Sequence, residues 1–270
     1  MTWLNGRTVE QLNSSIFIKF FNISTIKLKN LFTTHYLQFT KKLFAFTLAE
    51  TLIVMGVIGV VAALTLPNLN SSTNNKEKVV KLKKIYSNLN DAYGRAVAVY
   101  GPFNEWCTNY TGNCVQRQAE RLIEFLKITK TCGFSANGSC FNSSQTNYLN
   151  GTKGESENRN DHYCFVTADG TSMSVSPWFG IRIDIDGPTK GTNTWGKDIF
   201  VFDMDLDSNV GIYPSGFGHS DNDLKNYCFK TGLGCAGWVI QNENMDYLKA
   251  DRTGKCPNNT QLSWTNTSCN

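Results

Sequence analysis

Six aspartates, Asp184, Asp186, Asp198, Asp203, Asp205 and Asp207, bracket two loops between segments of alternating apolar residues. Hard carboxylate oxygens gathered in loops suit calcium, which takes about six to eight oxygen ligands. The stretch "DMDLDSNVGIYP" opens with the D-x-D-x-D spacing of an EF-hand loop. It then has Ser208 where the turn glycine belongs and Pro214 where the bidentate glutamate belongs. An EF-hand is therefore excluded. Two readings of the acids stay open: a calcium site with Asp184, Asp186 and Asp198 as ligands, or solvated turn acids.

Other chemistry is sparse. The only histidines are His35, His162 and His219. His219, Ser220 and Asp221 are consecutive in "GHSDND", but a catalytic triad is assembled in space and adjacent residues seldom face one another, so a polar loop is expected. No glycine-rich phosphate loop and no metalloprotease helix motif is present, and no enzymatic activity is expected. Trp238 and Trp264 lie among C-terminal cysteines, where they either form an adhesive surface or pack beneath a disulfide loop.

All nine cysteines follow the most apolar stretch of the chain. Their separations of six, seven or twelve residues are unlike the C-x2-C pairs of zinc sites or redox motifs, which favours disulfides. Local pairing predicts Cys107 with Cys114, Cys132 with Cys140, Cys228 with Cys235 and Cys256 with Cys269, leaving Cys164 over. Disulfides persist in oxidising compartments.

The apolar stretch is the most specific feature. Phe46 to Leu66 is a near-continuous apolar run preceded by Lys41 and Lys42 and interrupted near its start by one acid, Glu50. At about 1.5 Å per residue it matches the roughly 30 Å of a bilayer core. A carboxylate at the centre of a membrane costs about 2.5 to 3.5 kcal/mol, so Glu50 needs a partner or a place at the headgroup level, where the helix dipole favours it. Lysines upstream put that side in the cytoplasm and the cysteines outside it. Before Ala45 the chain carries Arg7, Lys19, Lys27, Lys29, Lys41 and Lys42 against Glu10 alone. With a total of +4, that leaves about −1 for the rest, which removes the electrostatic case for nucleic-acid binding by the folded part.

The string Ala45-Phe46-Thr47-Leu48-Ala49-Glu50, followed by the apolar run and Pro67, resembles the cleavage and methylation signature of type IV pilins and type II secretion pseudopilins. "DIDGPTKGTNTWGKDIFVFDMD" resembles the Asp-rich strand, loop and strand of pseudopilin-like heads. The resemblance implies a leader, residues 1–45, cut by a prepilin peptidase between Ala45 and Phe46, and methylation of the new amine. It implies a single-pass protein of the bacterial inner membrane with a periplasmic or extracellular head. Its partners would be other pilin or pseudopilin subunits and an inner-membrane assembly platform, in a type II secretion or type IV pilus-like filament. Glu50 would then pair with the Phe46 amine of a neighbouring subunit. Some members bind calcium in a head loop. Two features depart from the family pattern: Ala45 stands where glycine is usual, and the leader is long. An alternative reading is a membrane-anchored binding or adhesion module that never polymerises.

The elements that must position these residues can be read in outline. Gly56, Gly59, Ala62 and Ala63 are small residues of the kind that let helices approach in membranes. Pro67 is expected to kink the helix by removing a backbone hydrogen bond. From Lys76 to Tyr100 the residues Val79, Leu82, Ile85, Tyr86, Leu89, Tyr93, Ala96, Val97 and Tyr100 recur at helical spacing, and Lys78, Lys81, Lys83 and Lys84 form a solvated face. Gly101 and Pro102 stop the helix. Residues 103–160 read as an exposed, loop-rich connection with a short helix at Gln118 to Lys127. Beyond Tyr163, "YCFVTA" and "TSMSVS" flank the Asp169-Gly170 turn, and "GIRIDID", "DIFVFDMD" and "VGIYP" follow, giving four or five antiparallel strands in meander order. The predicted fold is α+β and pilin-like: a membrane helix (46–69), its amphipathic continuation (70–102), and a head (103–270) whose small sheet that helix covers, braced by disulfide loops.

Overall fold

The structure, a computed structural model, describes residues 47–106, 112–134, 139–141, 145–154, 159–177, 180–204 and 211–269, with the side chains of 62–73 and 112 outside that description. The chain divides into two compact units at Gly59 and Val60. Helix α1 is Leu48–Tyr100. In its first part Leu48, Leu52, Ile53, Val54, Met55, Val57, Ile58, Val60 and Val61 are all exposed. Among the described residues no helix is long and apolar enough to cross a membrane, and the run's last residues, 62–66, are among those whose side chains are not described. The helix continues through position 67.

From Val79 onward the expected stripe is buried. Val79, Leu82, Ile85, Leu89 and Ala96 enter the core, joined by Ala92, while Tyr86, Tyr93, Val97 and Tyr100 pack at its margin. The helix stops as the sequence predicts. Gly101 takes φ +79° and its N–H donates to the Val97 carbonyl at 3.0 Å, a left-handed turn that glycine adopts without a Cβ penalty.

The exposed connection expected over residues 103–160 is a packed region in its described part. Helix α2 (Phe103–Trp106) buries Phe103 and Trp106, whose rings meet edge to face at 5.1 Å and both contact Tyr93 at 5.9 Å. Helix α3 (Gly112–Ile123) buries Val115, Ala119 and Leu122 and lays Arg121 over the Tyr100 ring at 4.7 Å. The helix predicted to reach Lys127 ends at Ile123, because Ile128–Gly133 is drawn into a strand, β1. Polar composition concealed this packing: Phe103, Trp106, Val115, Ala119 and Leu122 anchor the described part of a segment otherwise rich in Asn, Ser and Thr.

The sheet has six strands in strict meander order: β1, β2 (Tyr163–Thr167), β3 (Ser172–Val175), β4 (Gly180–Asp184), β5 (Ile199–Met204) and β6 (Ile212–Pro214), every pair antiparallel. The Asp169-Gly170 turn joins β2 to β3 with Gly170 at φ +81°. Phe165, Met173, Ile181, Ile183, Phe200 and Phe202 form one buried face, and Tyr86 of α1 stacks on Phe202 at 5.4 Å. This is the helix-on-sheet arrangement expected of the α+β class. The edges are protected: β1 is interrupted by two register shifts and β6 is three residues long.

Alternation predicts a solvated second face, yet Cys164, Ser172, Ser174 and Asp184 on that face are buried. Near β2 it is covered by Cys140 and Phe141, which cluster with Cys164 and Val166. A C-terminal layer completes the core. A π-helical turn (Leu224–Lys230) leads to α4 (Cys235–Asn242), which packs on β5 and β6. Trp238 is fully buried against Phe229, Tyr247 and Trp264, so it cannot offer an adhesive surface, and Trp264 packs beside it, partly covered.

Three of the predicted disulfides are formed: Cys132–Cys140, Cys228–Cys235 and Cys256–Cys269. Cys114 is also disulfide-bonded, while Cys107, the partner predicted for it, lies outside the described residues. Cys164 is fully buried, its Sγ 3.8 Å from the His162 carbonyl oxygen.

Candidate functional site

At the start of α1, Glu50 is paired within its own chain. The Thr47 N–H donates to Glu50 Oε2 at 2.8 Å, and the Thr47 hydroxyl donates to the same oxygen at 3.0 Å. The Glu50 N–H reaches back to Thr47 Oγ1 at 3.2 Å. This is a capping box: threonine and glutamate three apart satisfy two backbone donors that a helix end otherwise leaves bare. The T-x-x-E spacing in "TLAE" carries that signal, and it adds a local role for Glu50. Phe46 and Ala45 lie outside the described residues.

The Asp-rich loop between β4 and β5 brings Asp184, Asp186 and Asp198 into one neighbourhood. A Cβ placed on Gly191 would lie 2.6 Å from Asp198 Oδ2 and 3.1 Å from Asp186 Oδ2, so both carboxylates close on the same glycine, which turns at φ +81°. Asp198 is buried and accepts from the Thr192 N–H (2.5 Å), the Thr192 hydroxyl (3.0 Å) and the Thr194 N–H (2.6 Å). Asp184 Oδ1 accepts from the N–H groups of Asp186 (3.1 Å) and Gly187 (3.2 Å). Burial, reinforced by the negative charge of Asp198, pushes the Asp184 carboxyl up to about 8.

Lysines of α1 meet three further oxygens of the loop. Lys78 Nζ lies 3.0 Å from Asp186 Oδ2 and donates to the Lys197 carbonyl at 3.2 Å. Lys81 Nζ donates to the Ile185 carbonyl at 2.5 Å. The solvated lysine face expected of α1 therefore holds for Lys83 and Lys84, while Lys78 and Lys81 turn inward onto the loop. Nothing in the local sequence signals this, since each contact spans more than a hundred residues. Among the described residues no three acidic, His or Cys side chains are grouped to hold a metal ion. The other acids of the pattern divide: Asp203 is half-buried on β5, and Asp205 and Asp207 lie outside the described residues.

His162 is a buried histidine that sequence reasoning leaves without a role. Its Nε2 accepts from Arg182 Nη1 at 3.3 Å, which leaves Nδ1 to donate to Ser174 Oγ at 3.2 Å. Burial, helped by the Arg182 charge, lowers it to about 3, so the ring is neutral at physiological pH. His219, Ser220 and Asp221 form no triad. Ser220 caps the following turn through Asp223, His219 is exposed against the Tyr227 ring, and Asp221 accepts from the Trp264 N–H. The chain matches no protein-family model, no curated protein and no solved structure.

Proposed function

We propose that the chain is a structural subunit of an envelope filament of the type IV pilin and type II pseudopilin class, processed between Ala45 and Phe46 and assembled through its N-terminal helix. One observation carries this reading. A single helix, Leu48–Tyr100, has an apolar start whose side chains are exposed and an end whose apolar stripe is built into the core. Burying a valine or leucine is worth about 1.5 to 3 kcal/mol, so nine exposed aliphatic and Met side chains on residues 48–61 call for a cover of lipid or other helices. The sequence supplies both: a membrane-length run for insertion and Glu50 for register in a helix bundle. The disulfide-braced meander sheet suits an exported head. The secretion pseudopilin is favoured within the class by head size and the Asp-rich loop.

The Thr47–Glu50 capping box favours a second reading, a membrane-anchored module that stays monomeric, because it gives the acid an intrachain partner. Expression in a host with and without a prepilin peptidase, followed by recovery of sheared extracellular or periplasmic filaments, separates the two. Peptidase-dependent filaments containing this chain support the subunit. A chain that stays monomeric in the membrane under both conditions supports the anchored module.

A further inference from the structure

We propose that Lys78 and Lys81 hold the Asp-rich β4–β5 loop in the manner of a bound divalent cation, so that the head is organised by two tethered ammonium groups and not by calcium. A calcium site gathers carboxylate and carbonyl oxygens around one charge. Here a carboxylate oxygen and two carbonyls of the loop are gathered by lysines of the helix instead: Asp186 and the Lys197 carbonyl by Lys78, and the Ile185 carbonyl by Lys81. The Lys78 side chain is only 11% exposed and that of Asp186 28%, so the pair is partly shielded from water, where it is screened less than a surface pair.

The acids that remain do not make up a calcium shell. Both oxygens of Asp198 are occupied by the N–H groups and hydroxyl of Thr192 and Thr194. Asp184 offers one oxygen, Oδ2, with no partner among the described residues. Across β3 and β4 it is in register with Ser172, whose Oγ is likewise buried without a described partner. The residues therefore do not fit the calcium site that some proteins of the resembled class carry. The ammonium groups neutralise the loop and tie it to α1, and this holds whether or not the chain polymerises.

The test is thermal unfolding of the full chain in detergent, followed by near-ultraviolet circular dichroism, with calcium chloride or with a chelator. The wild-type melting temperature is expected to be the same in both. Lys78→Met is expected to lower it by about 3 °C or more, and Asp186→Asn by a smaller amount. The Lys78→Met Asp186→Asn double variant is expected to lose less than the sum of the two, because both remove one interaction. Should Lys78→Met not fold, the calcium comparison on the wild type and on Asp186→Asn still decides. A calcium-induced rise of more than about 3 °C in the wild type, or additive losses in the double variant, would overturn the proposal.

Discussion

Thr47 and Glu50 cap each other at the start of α1, the Thr47 N–H and hydroxyl donating to Glu50 Oε2 while the Glu50 N–H donates to Thr47 Oγ1. The same carboxylate is the one the filament reading assigns to a neighbour's terminal amine. Two roles on one residue can be separated by removing the cap from its other side. Thr47→Ala and Glu50→Ala should each weaken the helix end by removing one half of the capping box. Only Glu50→Ala should abolish filaments, with insertion and cleavage intact. Equal filament yields from the two variants, measured on sheared material, would reduce Glu50 to a cap.

His162 sets an acid limit on the head. Its folded value of about 3 lies below the ordinary 6.5, so the folded state binds fewer protons than the unfolded chain below pH 6.5. Its contribution is intact above pH 6.5 and is lost as pH falls toward 3. His162→Gln keeps a neutral polar side chain beside Ser174 and Arg182 and should flatten the fall in melting temperature between pH 7 and 4.5. An unchanged slope would remove the histidine from the acid response.

Asp184 acts in the opposite direction. Its carboxyl is raised from the ordinary 3.8 to about 8, so the folded state holds a proton that the unfolded chain has released. Stability is therefore lost as pH rises from about 4 through 8. Asp184→Asn retains an oxygen for the Asp186 and Gly187 N–H groups and removes the titration. The variant should melt close to wild type at pH 4 and several degrees above it at pH 8.5; a lower melting temperature at both values would contradict this assignment.

The Cys228–Cys235 bond ties the π-helical turn to the start of α4 across a loop of sequence separation 7. Both cysteines are fully buried beside the Trp238 cluster. Loop-closure entropy for a ring of this size gives about 2.5 kcal/mol. The Cys228→Ser Cys235→Ser variant should unfold at correspondingly lower denaturant, and non-reducing peptide mapping of the wild type should return this pair together with Cys132–Cys140 and Cys256–Cys269.

The regular, periodic parts of the fold are legible in the sequence, and the parts held by long-range contacts are not. Val79, Leu82, Ile85 and Leu89 declare the buried stripe of α1, and Asp169-Gly170 declares the first hairpin, because each signal is local. Strand β1 escapes: "ITKTCG" has polar residues at successive positions and pairs only by way of register shifts. The C-terminal helices escape because aromatics and cysteines obscure their periodicity. At the sites, Glu50 is conspicuous as a lone acid in an apolar run, and its partner Thr47 is legible from the T-x-x-E spacing. Lys78 and Lys81 look like surface lysines until the loop carrying Ile185, Asp186 and Lys197 folds onto them.

The proposed processing would leave a covalent mark at the N-terminus of the mature chain. Mass spectrometry of the N-terminal peptide of the membrane-extracted protein, expressed alongside a prepilin peptidase, tests it most directly. A peptide beginning at Phe46, with its amine methylated, is the predicted result. A chain that keeps residues 1–45 in the presence of active peptidase would contradict it.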